Sequence, residues 1–214
     1  MNSAVVVAGG SSSRFGGKIP KQFIQINGTE ILAYSVNTLI NHPQVNEVVI
    51  VCHKDWMDHV SVRYPDCKVI EGGIRRQDSS LNGINFVSSK TENVLIHDAA
   101  RPLVTEHLIT DCLAALENAD VSAPILATSN SLIKWDGKSA TYIDRSEIHI
   151  VQTPQCFKKE IILQALKSDI PGTDELGIIL RLFPNIKLKF VCGNIRNIKI
   201  TTPFDLNYFK TIQR

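Results

Sequence analysis

Short apolar runs alternate along this chain with stretches in which apolar positions recur every three to four residues. The pattern predicts strands near residues 3–8, 46–52, 67–70, 93–97 and 120–127, with helices over 30–41, 54–62, 77–88 and 105–118 between them. Runs such as Val5-Val6-Val7 and Val94-Leu95-Ile96 leave no face for water, as expected of strands covered on both sides. Regular alternation of strand and helix points to an α/β fold: a doubly wound, mostly parallel sheet with helices on both faces.

After Ala127 the rhythm breaks. The stretch from Thr128 to Gln152 holds a turn candidate, Lys134-Trp135-Asp136-Gly137, and two strand-like pieces, Thr141-Tyr142-Ile143 and Ile148-His149-Ile150. It reads as a β-arm projecting from the sheet over about 128–152. A hairpin of this kind is marginal alone in water, so the arm is expected to join a second copy and make a homodimer. Helices near 158–168 and 173–182 follow, the latter with Thr173 or Asp174 as its N-cap, then a strand from Lys187 to Cys192. Asn197 to Thr202 reads as a strand end that runs into a helix started by Pro203. With no repeat or low-complexity tract, one domain spanning 1–214 is expected.

Charge narrows the function. A net charge of +2 is too small to attract nucleic acid or a membrane by field alone, so any preference for anions must be local. Cys52, Cys67, Cys112, Cys156 and Cys192 are odd in number and lack C-x-x-C spacing, which argues against a disulfide framework or a zinc site. The six histidines form no metal-ligand pattern. With no leader and no apolar span near ~20 residues, a soluble, cytoplasmic protein is expected.

The first strand empties into Gly9-Gly10-Ser11-Ser12-Ser13-Arg14-Phe15-Gly16-Gly17-Lys18-Ile19-Pro20-Lys21-Gln22. Small residues let a polyanion approach the backbone, whose successive N–H groups can then point at phosphate oxygens. Arg14 and Lys21 add full charges, and Pro20 fixes the backbone immediately before Lys21. Neither a Walker loop nor a Gly-x-Gly-x-x-Gly fingerprint is present. Open α/β sheets bind ligands at the carboxyl ends of their strands, and this loop sits at such an end. Asp98, closing the Val94-Leu95-Ile96 strand, sits at another.

Four later segments join the opening loop: Gly72-Gly73-Ile74-Arg75-Arg76-Gln77-Asp78-Ser79-Ser80, His97-Asp98-Ala99-Ala100-Arg101-Pro102, Gln152-Thr153-Pro154-Gln155 and Asn197-Ile198-Lys199-Ile200-Thr201-Thr202-Pro203. With these motifs the chain resembles, nearly end to end, the 2-C-methyl-D-erythritol 4-phosphate cytidylyltransferase family. The resemblance implies a Rossmann-like nucleotidyltransferase fold, a homodimer built on the arm, CTP as donor and a small polyol phosphate as acceptor. It also implies Mg²⁺ as cofactor, held mainly by the CTP phosphates, with Asp98 as a candidate protein ligand.

By the same resemblance Arg14, Lys21, Lys199 and Asp98 would be catalytic. CTP would be held by Ala8, Gly9, Gly10, Arg14, Lys21, Gly73, Arg76, Ser79 and Asp98, with the base read from Gly73 to Ser79 and Arg76 near the ribose or phosphates. The acceptor set would be Asp98, Arg101, Thr128, Arg145, Thr153 and Lys199, Arg145 reaching into the neighbouring subunit. Where the family pattern has Asp-Thr-x-Lys, this chain has Ala127-Thr128-Ser129-Asn130. Two other readings stand beside this one: a ribitol-5-phosphate cytidylyltransferase, suggested by His53-Lys54-Asp55-Trp56, and a CTP-binding regulatory module without catalysis.

Overall fold

The computed structural model describes residues 1–10, 15, 19–168 and 170–213, so Arg14 and most of the opening loop lie outside the described residues. The strands are β1 (Asn2–Ala8), β2 (Gln25–Ile26), β3 (Thr29–Glu30), β4 (Glu47–Cys52), β5 (Lys68–Glu71), β6 (Asn93–Asp98), β7 (Val121–Ala127), β8 (Leu132–Trp135), β9 (Ala140–Ile143), β10 (His149–Val151), β11 (Gln155–Lys158) and β12 (Leu188–Cys192). The helices are α1 (Ile31–Ile40), α2 (Met57–Arg63), α3 (Arg76–Phe86), α4 (Glu106–Ala115), α5 (Lys159–Lys167), α6 (Glu175–Leu182) and α7 (Pro203–Ile212).

β1 is central, parallel to β4 on one side, with Val6 beside Ile50, and to β6 on the other, with Val6 beside His97. β5 extends the sheet beyond β4, and β12 runs parallel to β7 at the far side. The period of two along β1 explains the layers. Ala4 and Val6 face a core with Leu32, Val36 and Leu39 of α1 and Ile109 and Cys112 of α4. Val5 faces the opposite core, with Ile84 of α3, Ile162 of α5 and Ile178 and Ile179 of α6. Each fully buried Val, Leu or Ile favours this arrangement by roughly 1.5–3 kcal/mol. The sheet is thus doubly wound, as the alternation predicts.

Four elements depart from the sequence reading, one of them Asn197 to Thr202, which reads as a strand end and belongs to no strand among the described residues. β11, which carries no strand signal after Pro154, lies antiparallel between β6 and β7. Cys156 and Phe157 are buried from both faces, so the strand shows no polar alternation. The expected arm is smaller than 128–152. β8 and β9 form a separate hairpin, but β10, the Ile148-His149-Ile150 piece, pairs with β7 in the main sheet, His149 opposite Ala127. Finally, β2 and β3 form a small hairpin around Asn27 and Gly28, both at positive φ (52° and 77°), the geometry that an Asn-Gly turn supplies.

α7 begins with a capping box, Thr202 accepting from the Asp205 amide while Asp205 accepts from the Thr202 amide. Its Leu206 and Phe209 pack with Ile26, Ile31 and Ile200. That packing, with a hydrogen bond from Ile200 N to Ala100 O (2.8 Å), lays the 197–200 segment beside the end of β6.

Candidate active site

β1, β4, β5 and β6 all point the same way, so the residues that follow them, Gly9, His53, Gly72 and Ala99, gather at one end of the sheet. A cavity of about 750 Å³ opens there, lined by Ala8, Gly9, Gly10, Lys21, Gln22, His53, Lys54, Glu71 to Arg76, Ser79, Asp98 to Ala100 and Lys199. Among the described residues its cations, Lys21, Lys54, Arg75, Arg76 and Lys199, face two lining carboxylates, Glu71 and Asp98. The size suits a nucleotide, and the charge imbalance favours a polyanion.

Asp98 is the electrostatic centre. Its Oδ2 accepts from Lys199 Nζ at 2.7 Å, with Arg101 Nε at 4.0 Å; its Oδ1 accepts from Arg76 at 2.9 and 3.3 Å. Burial alone would raise this carboxyl, but the charges of Arg76 and Lys199 outweigh it and hold Asp98 ionised well below the usual carboxylate range. Arg76 also donates to Glu175, a fully buried carboxylate at the start of α6 whose other oxygen accepts from Ser80 Oγ at 2.5 Å. Burial disfavours the Arg76 charge, yet the two carboxylates more than compensate and raise its pKa. A chain of alternating charge therefore runs Glu175, Arg76, Asp98, Lys199.

Behind Asp98 lies a bracing layer. The Asp98 amide donates to Thr153 Oγ1 (3.1 Å), which also meets His97 Nδ1 (3.1 Å), while His97 Nε2 meets Arg101 O (3.0 Å). Burial pushes His97 down to about 4, so this imidazole is neutral near pH 7 and donates from one nitrogen only. Arg101 is buried too, donating to Asn197 O at 2.7 Å, and burial lowers its pKa.

The loop from Gly73 to Ser79 is held from within. Ser79 Oγ accepts from Gly73 N (3.0 Å), and a Cβ on Gly73 would stand 2.3 Å from Asp78 Cβ, so only glycine fits. Asp78 in turn binds the Arg75 guanidinium, at 2.6 Å from NH2.

Of the residues that the sequence singles out, Ala8, Gly9, Gly10, Lys21, Gly73, Arg76, Ser79, Asp98 and Lys199 line this one cavity. Arg14 lies outside the described residues. Arg101 and Thr153 sit beneath Asp98 rather than on the cavity wall, and Arg76 spans two carboxylates as well as facing the cavity. Thr128 and Arg145 are on the arm, away from the cavity; Thr128 Oγ1 caps the Asn130 amide and Arg145 donates to Ser129 O at 2.7 Å.

The sequence reading missed Glu175 and Gln22. A glutamate in a first helical turn reads as an ordinary solvated one, and nothing local marks its burial. No group of three or more His, Cys, Asp or Glu that could hold a metal occurs among the described residues. Asp98 is the carboxylate that faces the cavity beside the cations, and both its oxygens are already engaged. Such a site fits a divalent ion carried in by phosphate oxygens, not one caged by side chains.

Known proteins resemble this chain over nearly its whole length. The family model IspD, 2-C-methyl-D-erythritol 4-phosphate cytidylyltransferase, matches residues 2–214. A 2-C-methyl-D-erythritol 4-phosphate cytidylyltransferase of Clostridium novyi is 37% identical over 218 residues, covering 96% of this chain and 93% of the relative. A ribitol-5-phosphate cytidylyltransferase of Lacticaseibacillus paracasei is 35% identical over 234 residues, covering 100% and 98%. The crystal structure of a 4-diphosphocytidyl-2C-methyl-D-erythritol synthase from Anaerococcus prevotii superposes with a TM-score of 0.89 at 24% identity, covering 100% of this chain and 96% of that one, which shows a shared fold. With a family match over nearly its whole length, a matching fold and a cation-lined cavity at the ends of its parallel strands, the chain belongs to the 2-C-methyl-D-erythritol 4-phosphate cytidylyltransferase family.

Proposed function

We propose that this protein transfers CMP from CTP to 2-C-methyl-D-erythritol 4-phosphate and releases pyrophosphate. The observation that carries the reading is the convergence of Lys21, Arg76, Asp98 and Lys199, from four separated segments, on one cavity at the carboxyl ends of β1, β4, β5 and β6. An oxygen of the acceptor phosphate forms a bond to the α-phosphorus of CTP, and the bond from that phosphorus to the bridging oxygen of the β-phosphate breaks. No strong base is needed, because a phosphate monoester with a second pKa of about 6 is already largely dianionic at pH 7.

What the protein supplies is position and charge. Gly9, Gly10 and Lys21 would address the triphosphate, with Arg14 as a further cation of the same loop. Lys199, held by Asp98, would stabilise the α-phosphate and the incoming phosphate, and the loop from Gly73 to Ser79 would read the cytosine edge. Mg²⁺, bound through phosphate oxygens with Asp98 nearby, would offset the charge that builds on them.

Arg101 and Thr153 would serve the acceptor by holding Asp98 and the neighbouring backbone. Thr128 and Arg145 belong to an arm whose Ile133, Trp135 and Tyr142 are exposed, which supports a homodimer in which the arm reaches a second subunit's acceptor pocket. One domain over 1–214 and a cytoplasmic location fit this reading. No helix among the described residues is long and apolar enough to cross a membrane.

Pyrophosphate release from CTP and Mg²⁺ with a panel of polyol phosphates tests the assignment. Turnover with 2-C-methyl-D-erythritol 4-phosphate far above that with ribitol 5-phosphate supports it. The ribitol reading, favoured by the full-length Lacticaseibacillus paracasei relative, predicts the reverse. CTP binding with no release under any acceptor would indicate a regulatory module.

A further inference from the structure

The chain leaves β1 at Ala8-Gly9-Gly10 and returns at Pro20 to Phe23, and Ala8, Gly9 and Gly10 of one limb and Lys21 and Gln22 of the other line the cavity. Between them stands Gln22, buried at 3% exposure, with its Nε2 donating to Ala8 O at 2.6 Å and to Gly10 O at 3.2 Å. These two oxygens are carbonyls, which accept only, so the chemistry settles which end of the amide faces them. The next residue anchors the returning limb from outside. Phe23 stacks on Trp56 at 4.2 Å and 12°, and its ring edge meets His59. A single turn, with Phe23 N donating to Pro20 O at 2.9 Å, then carries Lys21 between these two anchors.

We infer that Gln22 is a positioning residue for the transfer: by clamping the Ala8 and Gly10 carbonyls it fixes the direction of the peptide units around Gly9 and the point from which Lys21 reaches the triphosphate. The inference rests on the function proposed above. Turning a peptide carbonyl turns the N–H on its other side, so the clamp aims phosphate-binding donors without touching a phosphate. Donors set in advance are worth most in the transition state, where charge has grown. A packing role would instead be met by any side chain of equal bulk.

Two variants separate these cases. In Gln22→Met the bulk remains and both hydrogen bonds are lost; kcat should fall about 10–100-fold while KM for CTP changes at most a few-fold. In Gln22→Glu the carboxylate confronts two carbonyls at pH 8, but once protonated its single O–H can donate to one of them and restore part of the clamp. Burial raises a carboxyl's pKa, so the ratio of variant to wild-type kcat should climb about tenfold between pH 8 and pH 6. Wild type, measured alongside, carries the shared titrations out of that ratio.

A Gln22→Met enzyme within about twofold of wild-type kcat overturns the inference, as does a Gln22→Glu ratio that stays flat with pH. So does activity lost only in proportion to folded protein, read by thermal melting. Pyrophosphate release by wild type decides the function independently, so failure of the clamp and failure of the assignment are distinguishable.

Discussion

Glu175 is the least expected member of the site, and its replacement offers a quantitative test of the charge chain. Its two oxygens accept from Arg76 and from Ser80, and its side chain is about 1% exposed. In Glu175→Gln the shape is kept: the amide oxygen can still accept from Arg76 and the NH₂ can donate to Ser80 Oγ. What is removed is one negative charge facing Arg76. Two unit charges about 4 Å apart interact by about 4 kcal/mol at an effective dielectric constant of about 20. The variant no longer has to desolvate a carboxylate, and Asp98 still pairs Arg76, which together return part of that amount. The net expectation is a loss of about 2 kcal/mol, or a fall in Tm of roughly 4–8 °C for a protein of this size. Urea titration followed by circular dichroism, with calorimetry for Tm, reads both quantities. Most of the loss should persist at about 1 M salt, because Glu175 is buried even though Arg76 also faces the cavity. An unchanged or raised Tm, or a loss abolished by salt, would refute the reasoning.

Other consequences are accessible to simple assays. Burial holds the His97 imidazole at about 4, so between pH 6.5 and 4 the unfolded chain takes up a proton that the folded protein does not. Stability therefore falls on acidification through that window, with about 3 kcal/mol from this group; urea titrations at both ends should show a loss smaller by about that amount in His97→Gln than in wild type. Gly73→Ala puts a methyl group 2.3 Å from Asp78 Cβ, so the loop must shift. Calorimetric titration should find CTP affinity lowered about tenfold or more, and an unchanged affinity would remove this loop from nucleotide recognition. If the arm mediates a dimer, Trp135→Asp should move the sedimentation equilibrium towards monomer, whereas an identical dimer constant would place the contact elsewhere.

How far the sequence carries the reader depends on how local each cause is. The apolar runs of β1, β4 and β6 and the helical periods between them disclose the doubly wound sheet, because burial on two faces writes itself into consecutive residues. Gln155 to Lys158 escapes, since four residues after a proline are too few for any period, and only insertion between β6 and β7 makes them a strand. The Asn27-Gly28 pair is a local hairpin signal, and here the cause is legible in two adjacent residues. Asp98 and Lys199 are 101 residues apart, yet each lies in a recognisable motif, so their pairing at 2.7 Å could be anticipated by resemblance. Glu175 and Gln22 could not. Each looks like an ordinary polar residue until packing buries it against partners far along the chain or on the opposite limb of a loop. The same tertiary packing turns Arg101 and Thr153 inward as supports beneath Asp98.

The account stands on cations from distant segments acting on one triphosphate. Its most direct test is steady-state pyrophosphate release from CTP and 2-C-methyl-D-erythritol 4-phosphate by wild type, Lys21→Met and Lys199→Met, each verified as folded. The predicted result is robust turnover by wild type and a fall in kcat of about 10²–10³-fold for each variant. Either lysine variant turning over within about threefold of wild type would contradict it.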